Sequence, residues 1–134
     1  MKRNRAPAAA LGIFCLCAGV QRLAAADART PTQAYLAYNA ALGTATKLAD
    51  ILPFLSKEYR AMLESRPKAD QPTWLERLKD SRMKDVKVTG ETVSGNTCTL
   101  QATGTSARGN AMKGKIQLVK EDGAWKLDEE GWST

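Results

Sequence analysis

Thr97-Cys98-Thr99-Leu100-Gln101-Ala102-Thr103 alternates polar and apolar residues at every step, the period of a strand with one face on a core and the other in water. Ser94-Gly95-Asn96 before it and Ser106 to Asn110 after it read as turns. The same period continues on both sides. Upstream, from Asp85, Val86 and Val88 alternate with lysines, and downstream Met112, Ile116 and Leu118 alternate with Lys113, Lys115 and Gln117. Glu121-Asp122-Gly123 closes a third hairpin, after which Trp125 and Leu127 alternate with Lys126 and Asp128. The back half of the chain therefore predicts a meander of four antiparallel strands with one apolar face to cover.

The cover lies upstream, where the period changes. Thr30-Pro31-Thr32-Gln33 is a helix start, with Thr30 as N-cap, Pro31 in the first turn and Gln33 as capping-box partner. Tyr35, Tyr38, Ala41 and Leu42 share a side with Ala34 and Ala37, Leu36 falls off that stripe, and Gly43 supplies a stop. Thr44 to Leu52 reads as a second short helix, with Leu48, Ile51, Leu52 and Leu55 on its apolar side and a break before Pro53. Ser56 caps a third helix carrying Tyr59, Met62 and Leu63. Ser65 to Gln71 is a polar loop, and Pro72 opens a fourth helix that runs to about Met83 with Trp74, Leu75 and Leu78 on one side. Helical segments followed by strands give an α+β layout.

Lys2, Arg3 and Arg5, the apolar run Ala6 to Val20 and the small residues Leu23-Ala24-Ala25-Ala26 have the order of a secretory signal peptide. We expect cleavage after Ala26, a single domain over 27–134, and a periplasmic or secreted product with no stable membrane span. The apolar run is shorter than the roughly 20 residues a spanning helix needs. Phe14 and Leu16, the residues before Cys15 and Cys17, are too bulky for lipoprotein processing. Four of the 20 basic residues and none of the 14 acidic ones precede residue 27, so the remainder carries 16 against 14, a net +2. That is too little for an electrostatic nucleic-acid footprint. The chain contains no histidine, which excludes a Ser-His-Asp or Cys-His triad and any His-ligated zinc or haem; no cofactor is expected. Cleavage would leave Cys98 without a partner in its own chain, and its alternation with Leu100 and Ala102 predicts a buried thiol.

The Thr-Pro-x-x-Ala opening of a tyrosine-bearing helix (Thr30 to Tyr38), the Phe-Leu-Ser-Lys-Glu-Tyr segment (Phe54 to Tyr59) and the run from Leu118 to Asp128 resemble small exported bacterial domains of the nuclear-transport-factor-2-like, or cystatin-like, superfamily. They are most similar to a family of unknown function. The resemblance covers most of Arg29 to Trp132 and implies a curved antiparallel sheet wrapped round the helices into a cone, often dimeric through the sheet. It implies no activity, because the fold carries isomerases, cyclases, ligand binders and interaction modules.

Three readings of function follow. The first is a non-enzymatic exported domain that binds a small apolar ligand or a protein partner, with Tyr35, Tyr38, Phe54, Tyr59, Trp74 and Trp132 as candidate pocket lining. The second is a cofactor-independent isomerase or cyclase with a carboxylate in the cone, for which Asp50, Asp128 and the tyrosines are the available pieces. The third is a structural dimer formed through the sheet. An acid facing a tyrosine hydroxyl in an apolar cavity would favour the enzyme, a roomy cavity without one the binder, and a filled cone the dimer. Trp74 and Trp125 are expected in the core and Trp132 at a pocket mouth or dimer edge. Asp128 is expected to face solvent, and the run Asp128 to Glu130 to be a solvated end rather than a calcium site. Gly109 to Lys115 matches a phosphate loop for seven positions, but Ile116 stands where Ser or Thr is needed and a strand follows. Lys84, Lys87, Lys113 and Lys115 are expected to share the exposed sheet face, where they could meet an anionic surface.

Overall fold

The computed structural model describes residues 29–134; the leader, its cleavage point and Cys15 and Cys17 lie outside the described residues. Helix α1 is Pro31–Thr44, α2 is Lys57–Glu64 and α3 is Gln71–Asp80; the strands are β1 Lys84–Ser94, β2 Thr97–Thr105, β3 Ala111–Glu121 and β4 Ala124–Ser133. The strands form one curved antiparallel sheet in the order β1-β2-β3-β4. This is the expected architecture of N-terminal helices packed on a curved four-stranded antiparallel meander.

The hairpin turns follow from local chemistry. Gly95 takes φ 60° at the first loop position between β1 and β2, while Asp122 and Gly123 both take positive φ (52° and 81°) between β3 and β4. Paired positive-φ residues match the twist of the strands they join. The α1 start is as the sequence predicts: Gln33 N–H donates to the Thr30 hydroxyl at 3.1 Å, and Thr30 N–H donates to Gln33 Oε1 at 2.9 Å.

Several helix boundaries differ from expectation. Gly43 lies inside α1, which ends at Thr44; a Cβ on Gly43 would come within 2.9 Å of the Arg82 guanidinium, so the glycine makes room rather than ending the helix. Thr44 to Leu52 is not a helix but leads into two 3₁₀ turns, Leu48–Asp50 and Leu52–Phe54. The Asp50 carboxylate accepts the N–H groups of Thr46 (3.0 Å) and Lys47 (3.2 Å), and Pro53 has no donor to give, so an α-helix has little backbone left to bond. The loop from Ser65 contains a third such turn, Lys68–Asp70, and α3 stops at Asp80 rather than Met83.

The core lies between α1 and the inner sheet face. Tyr35, Tyr38, Ile51, Leu55, Leu100, Ile116, Leu118 and Leu127 are almost completely buried, with Cys98 among them as expected. Trp125 packs against this cluster, but Trp74 does not belong to it: its half-buried ring lies under Arg66 (4.3 Å) and Arg77 (5.3 Å). Met62, expected on the apolar side of α2, is 47% exposed.

One irregularity sets the end of β4. Gln117 pairs with Glu129 but Leu118 pairs with Leu127, so Asp128 is an extra residue. Such a bulge shifts the alternation by one. Leu127, Glu130 and Trp132 therefore all sit on the inner-face registers of Leu118, Ile116 and Gly114. The Trp132 ring covers Gly114 so closely that a Cβ there would fall 2.6 Å from it. Gly114→Val is expected to displace the indole, lowering unfolding free energy by about 1–3 kcal/mol in urea titration and red-shifting tryptophan emission.

Candidate functional site

The bulge gives the inner end of β4 a carboxylate. Glu130 Oε2 accepts the Tyr35 hydroxyl at 2.7 Å and the Trp132 indole N–H at 3.1 Å. Tyr35 and Tyr38 come from the buried stripe of α1, with ring centroids 6.1 Å apart. Tyr59 enters from α2. That helix is fixed to β4 by Ser56, a buried N-cap whose hydroxyl donates to Asp128 Oδ1 (2.7 Å) and accepts Tyr59 N–H (3.1 Å), while its own N–H donates to the Leu127 carbonyl (2.8 Å). Asp128 is consequently a half-buried acceptor rather than a solvent-facing acid, and Glu130 is not part of a solvated end.

Burial and the neighbouring Glu130 charge both oppose ionisation of the tyrosines. Burial is the larger cause in each, and all three phenols are held above the ordinary tyrosine range. The Tyr38 hydroxyl meets no protein hydrogen-bond partner. An unpaired buried hydroxyl costs about 1–3 kcal/mol, so this is a place where the interior is incompletely satisfied.

Outward from Glu130, between α2 and β4, opens a cleft of about 470 Å³ lined by Glu58, Tyr59, Met62, Asp128, Glu129 and Glu130. On the α2 side Tyr59 and Met62 give an aromatic and thioether surface beside the Glu58 carboxylate, on the β4 side stand Asp128, Glu129 and Glu130, and no basic side chain lines the cleft. Of the six residues expected to line a pocket, Tyr35, Tyr38, Tyr59 and Trp132 gather round Glu130, and Tyr59 alone borders the cleft. Phe54 borders a separate hollow with Pro53 and Trp125, and Trp74 lies beneath its two arginines. Asp50 belongs to neither place. It is a loop cap, its carboxyl held below the ordinary range first by the Thr46 N–H. Glu130 and Met62 are the residues that alternation and the helical wheel misplace; the signal for Glu130 would have been the bulge itself.

No family model matches the chain, and no curated protein matches it. Among solved structures, it is similar to a SEC-C motif containing protein from Rhodopseudomonas palustris, at 18% identity and TM-score 0.51, over 86% of this chain and 87% of the other. At that identity the likeness concerns the fold alone. It is also similar, at 10% identity and TM-score 0.48, over 75% of this chain and 99% of the other, to a Campylobacter jejuni protein described as an NTF2-like transpeptidase. A likeness this low carries no argument about activity.

The tyrosine cluster makes stability pH-dependent with a definite sign. A phenol whose folded pKa lies above its unfolded value of about 10 stabilises the fold fully below pH 10, and that stability is lost as pH rises towards the folded value. Alkaline titration followed at 295 nm is expected to show the three tyrosines ionising together with loss of far-ultraviolet dichroism above about pH 10, rather than beforehand.

Proposed function

We propose that this chain is a ligand-binding domain and that the cleft between α2 and β4 takes an organic cation with an apolar stem. The observation that carries the reading is the cleft's composition. Exposed Met62 and the Tyr59 ring form a wall suited to methylene or methyl groups, Glu130 closes the inner end, and no lysine or arginine lines it to neutralise the acids. Tyrosine faces and polarizable sulfur attract ammonium and apolar groups respectively. The carboxylate is also held in place: two donors fix Oε2, so the charge need not reorganise when a cation arrives.

The test is calorimetric titration with n-pentylammonium against 1-pentanol. The ammonium is expected to bind at least tenfold more tightly. Glu130→Gln should remove most of that preference, and the Met62 methyl resonance should shift on saturation. Equal binding of amine and alcohol, or an unmoved Met62 methyl, would overturn the reading.

A second reading has one observation in its favour. The Tyr35 hydroxyl faces the Glu130 carboxylate, the pairing a cofactor-independent isomerase or cyclase would use as base and oxyanion donor. Against it, Tyr35 and Tyr38 are each 1% exposed and themselves fill the space beside the acid where a substrate would lie. The binding reading is therefore the better supported.

The setting we propose is outside the cytosol, in keeping with the leader-like residues 1–26 and the kinship with exported domains of unknown function that the sequence suggests. Mass spectrometry of the exported protein is expected to find Asp27 at its N-terminus; an N-terminus at Met1 would reject that setting.

A further inference from the structure

The opposite face of the sheet carries a shallow trough of about 720 Å³, and its position is set by register. Lys87, Thr103, Lys113 and Ser133 pair in a row across all four strands, and beside it Gln101, Lys115 and Gly131 form a second row. Lys113 and Lys115 line the trough and are exposed, while Lys87, also exposed, borders a neighbouring hollow that includes Asp85. None of the three is in an ion pair among the described residues, and no acidic side chain lines the trough itself.

Gly131 is the second, independent observation. Its φ is not positive, and a Cβ built on it would meet nothing within 4 Å. Neither a turn nor packing requires glycine there, in contrast to Gly114 one strand away. A glycine without a conformational or steric reason in a strand leaves the backbone open to close approach by another molecule. Here it forms a bare floor beside Lys115.

The lining chooses among anionic occupants. A bilayer would need apolar groups to insert, and the exposed large hydrophobic residues, Leu36, Met62 and Val93, all lie elsewhere. Single-stranded nucleic acid would need a series of exposed aromatic faces to stack successive bases on. The trough has a single aromatic lining residue, the half-buried Trp132 whose ring is packed over Gly114, among threonine, glutamine and serine. A second copy packed face to face would bring this lysine-bearing surface against its own image. An added peptide strand needs a sheet edge, and this is a sheet face. Short hydroxyl and amide side chains interleaved with ammonium groups suit a chain of hydroxyls carrying regular negative charge. We propose that the outer sheet face binds an anionic oligosaccharide, a carboxylated or sulfated glycan, seated over Gly131 between Lys113, Lys115 and Gln101. This site is separate from the cleft at Glu130, and either can fail without the other.

The experiment is calorimetric titration of the exported protein with a hexamer of galacturonic acid, a sulfated hexasaccharide and a neutral hexasaccharide. At least one anionic hexamer is expected to bind at a single site, at least tenfold more tightly than the neutral one, and the preferred anion identifies the charged group recognised. Lys113→Gln and Lys115→Gln should each weaken binding three- to tenfold, and Gly131→Val should abolish it with an unchanged melting temperature. Lys57→Gln and Lys68→Gln, placed away from the trough, should leave it intact. Equal binding of the neutral sugar, full binding by Gly131→Val, equal losses in the Lys57 and Lys68 controls, or capture by anionic vesicles with no glycan binding would each overturn the proposal.

Discussion

A single extra residue in β4 decides which side chains enter the interior. Without Asp128 in the bulge, the alternation set by Leu127 would carry Glu129 and Gly131 inward and turn Glu130 and Trp132 to water. With it, an acid and an indole reach the inner face, one opposite Ile116 and the other over Gly114. The displaced Asp128 is not left idle, because it accepts the Ser56 hydroxyl. Ser56 in turn caps α2 and holds its first turn on β4, which places Tyr59 beside the acid. Bulge, cap and helix are thus one arrangement.

That arrangement answers a problem posed by α1. Two tyrosines on its buried stripe bring two hydroxyls into an apolar core, and each needs a partner there. Glu130 supplies one to Tyr35 and is itself supported by Trp132. The Tyr38 hydroxyl has no such partner, although the same carboxylate is near enough to oppose its ionisation. A half-buried acid beside phenols is costly to maintain unless its hydrogen bonds are made. The bond from Tyr35 to Glu130 also ties α1 to β4 at the inner end of the cleft.

Much of the fold was legible because it rests on strict periods. The alternation of Cys98, Leu100 and Ala102, the turn residues at Gly95 and Asp122-Gly123, and the capping box at Thr30 all give the elements found. The stretch after α1 was not legible, because Leu48, Ile51 and Leu55 are buried at helical spacing while Asp50 and Pro53 divert the backbone into 3₁₀ turns. The site was legible in part. Tyr35, Tyr38, Tyr59 and Trp132 were recognisable as aromatic candidates, but Glu130 was hidden by the same alternation that revealed the strands. Trp74 shows the converse error: a large apolar ring on a helix was read as core, whereas Arg66 and Arg77 shelter it at the surface.

The two edges of the sheet are treated differently. On β4, the Leu55–Ser56 segment pairs with Leu127 and occupies part of the rim. On β1, pairing slips twice, between Lys84 and Lys87 and again between Val88 and Gly90, and Asp85 sits at φ 52°. A broken, lysine-bearing border offers neighbouring chains no straight row of amides to extend. Such a border discourages the addition of a fifth strand from another molecule and leaves the curved outer face of the sheet as the surface open to other contacts.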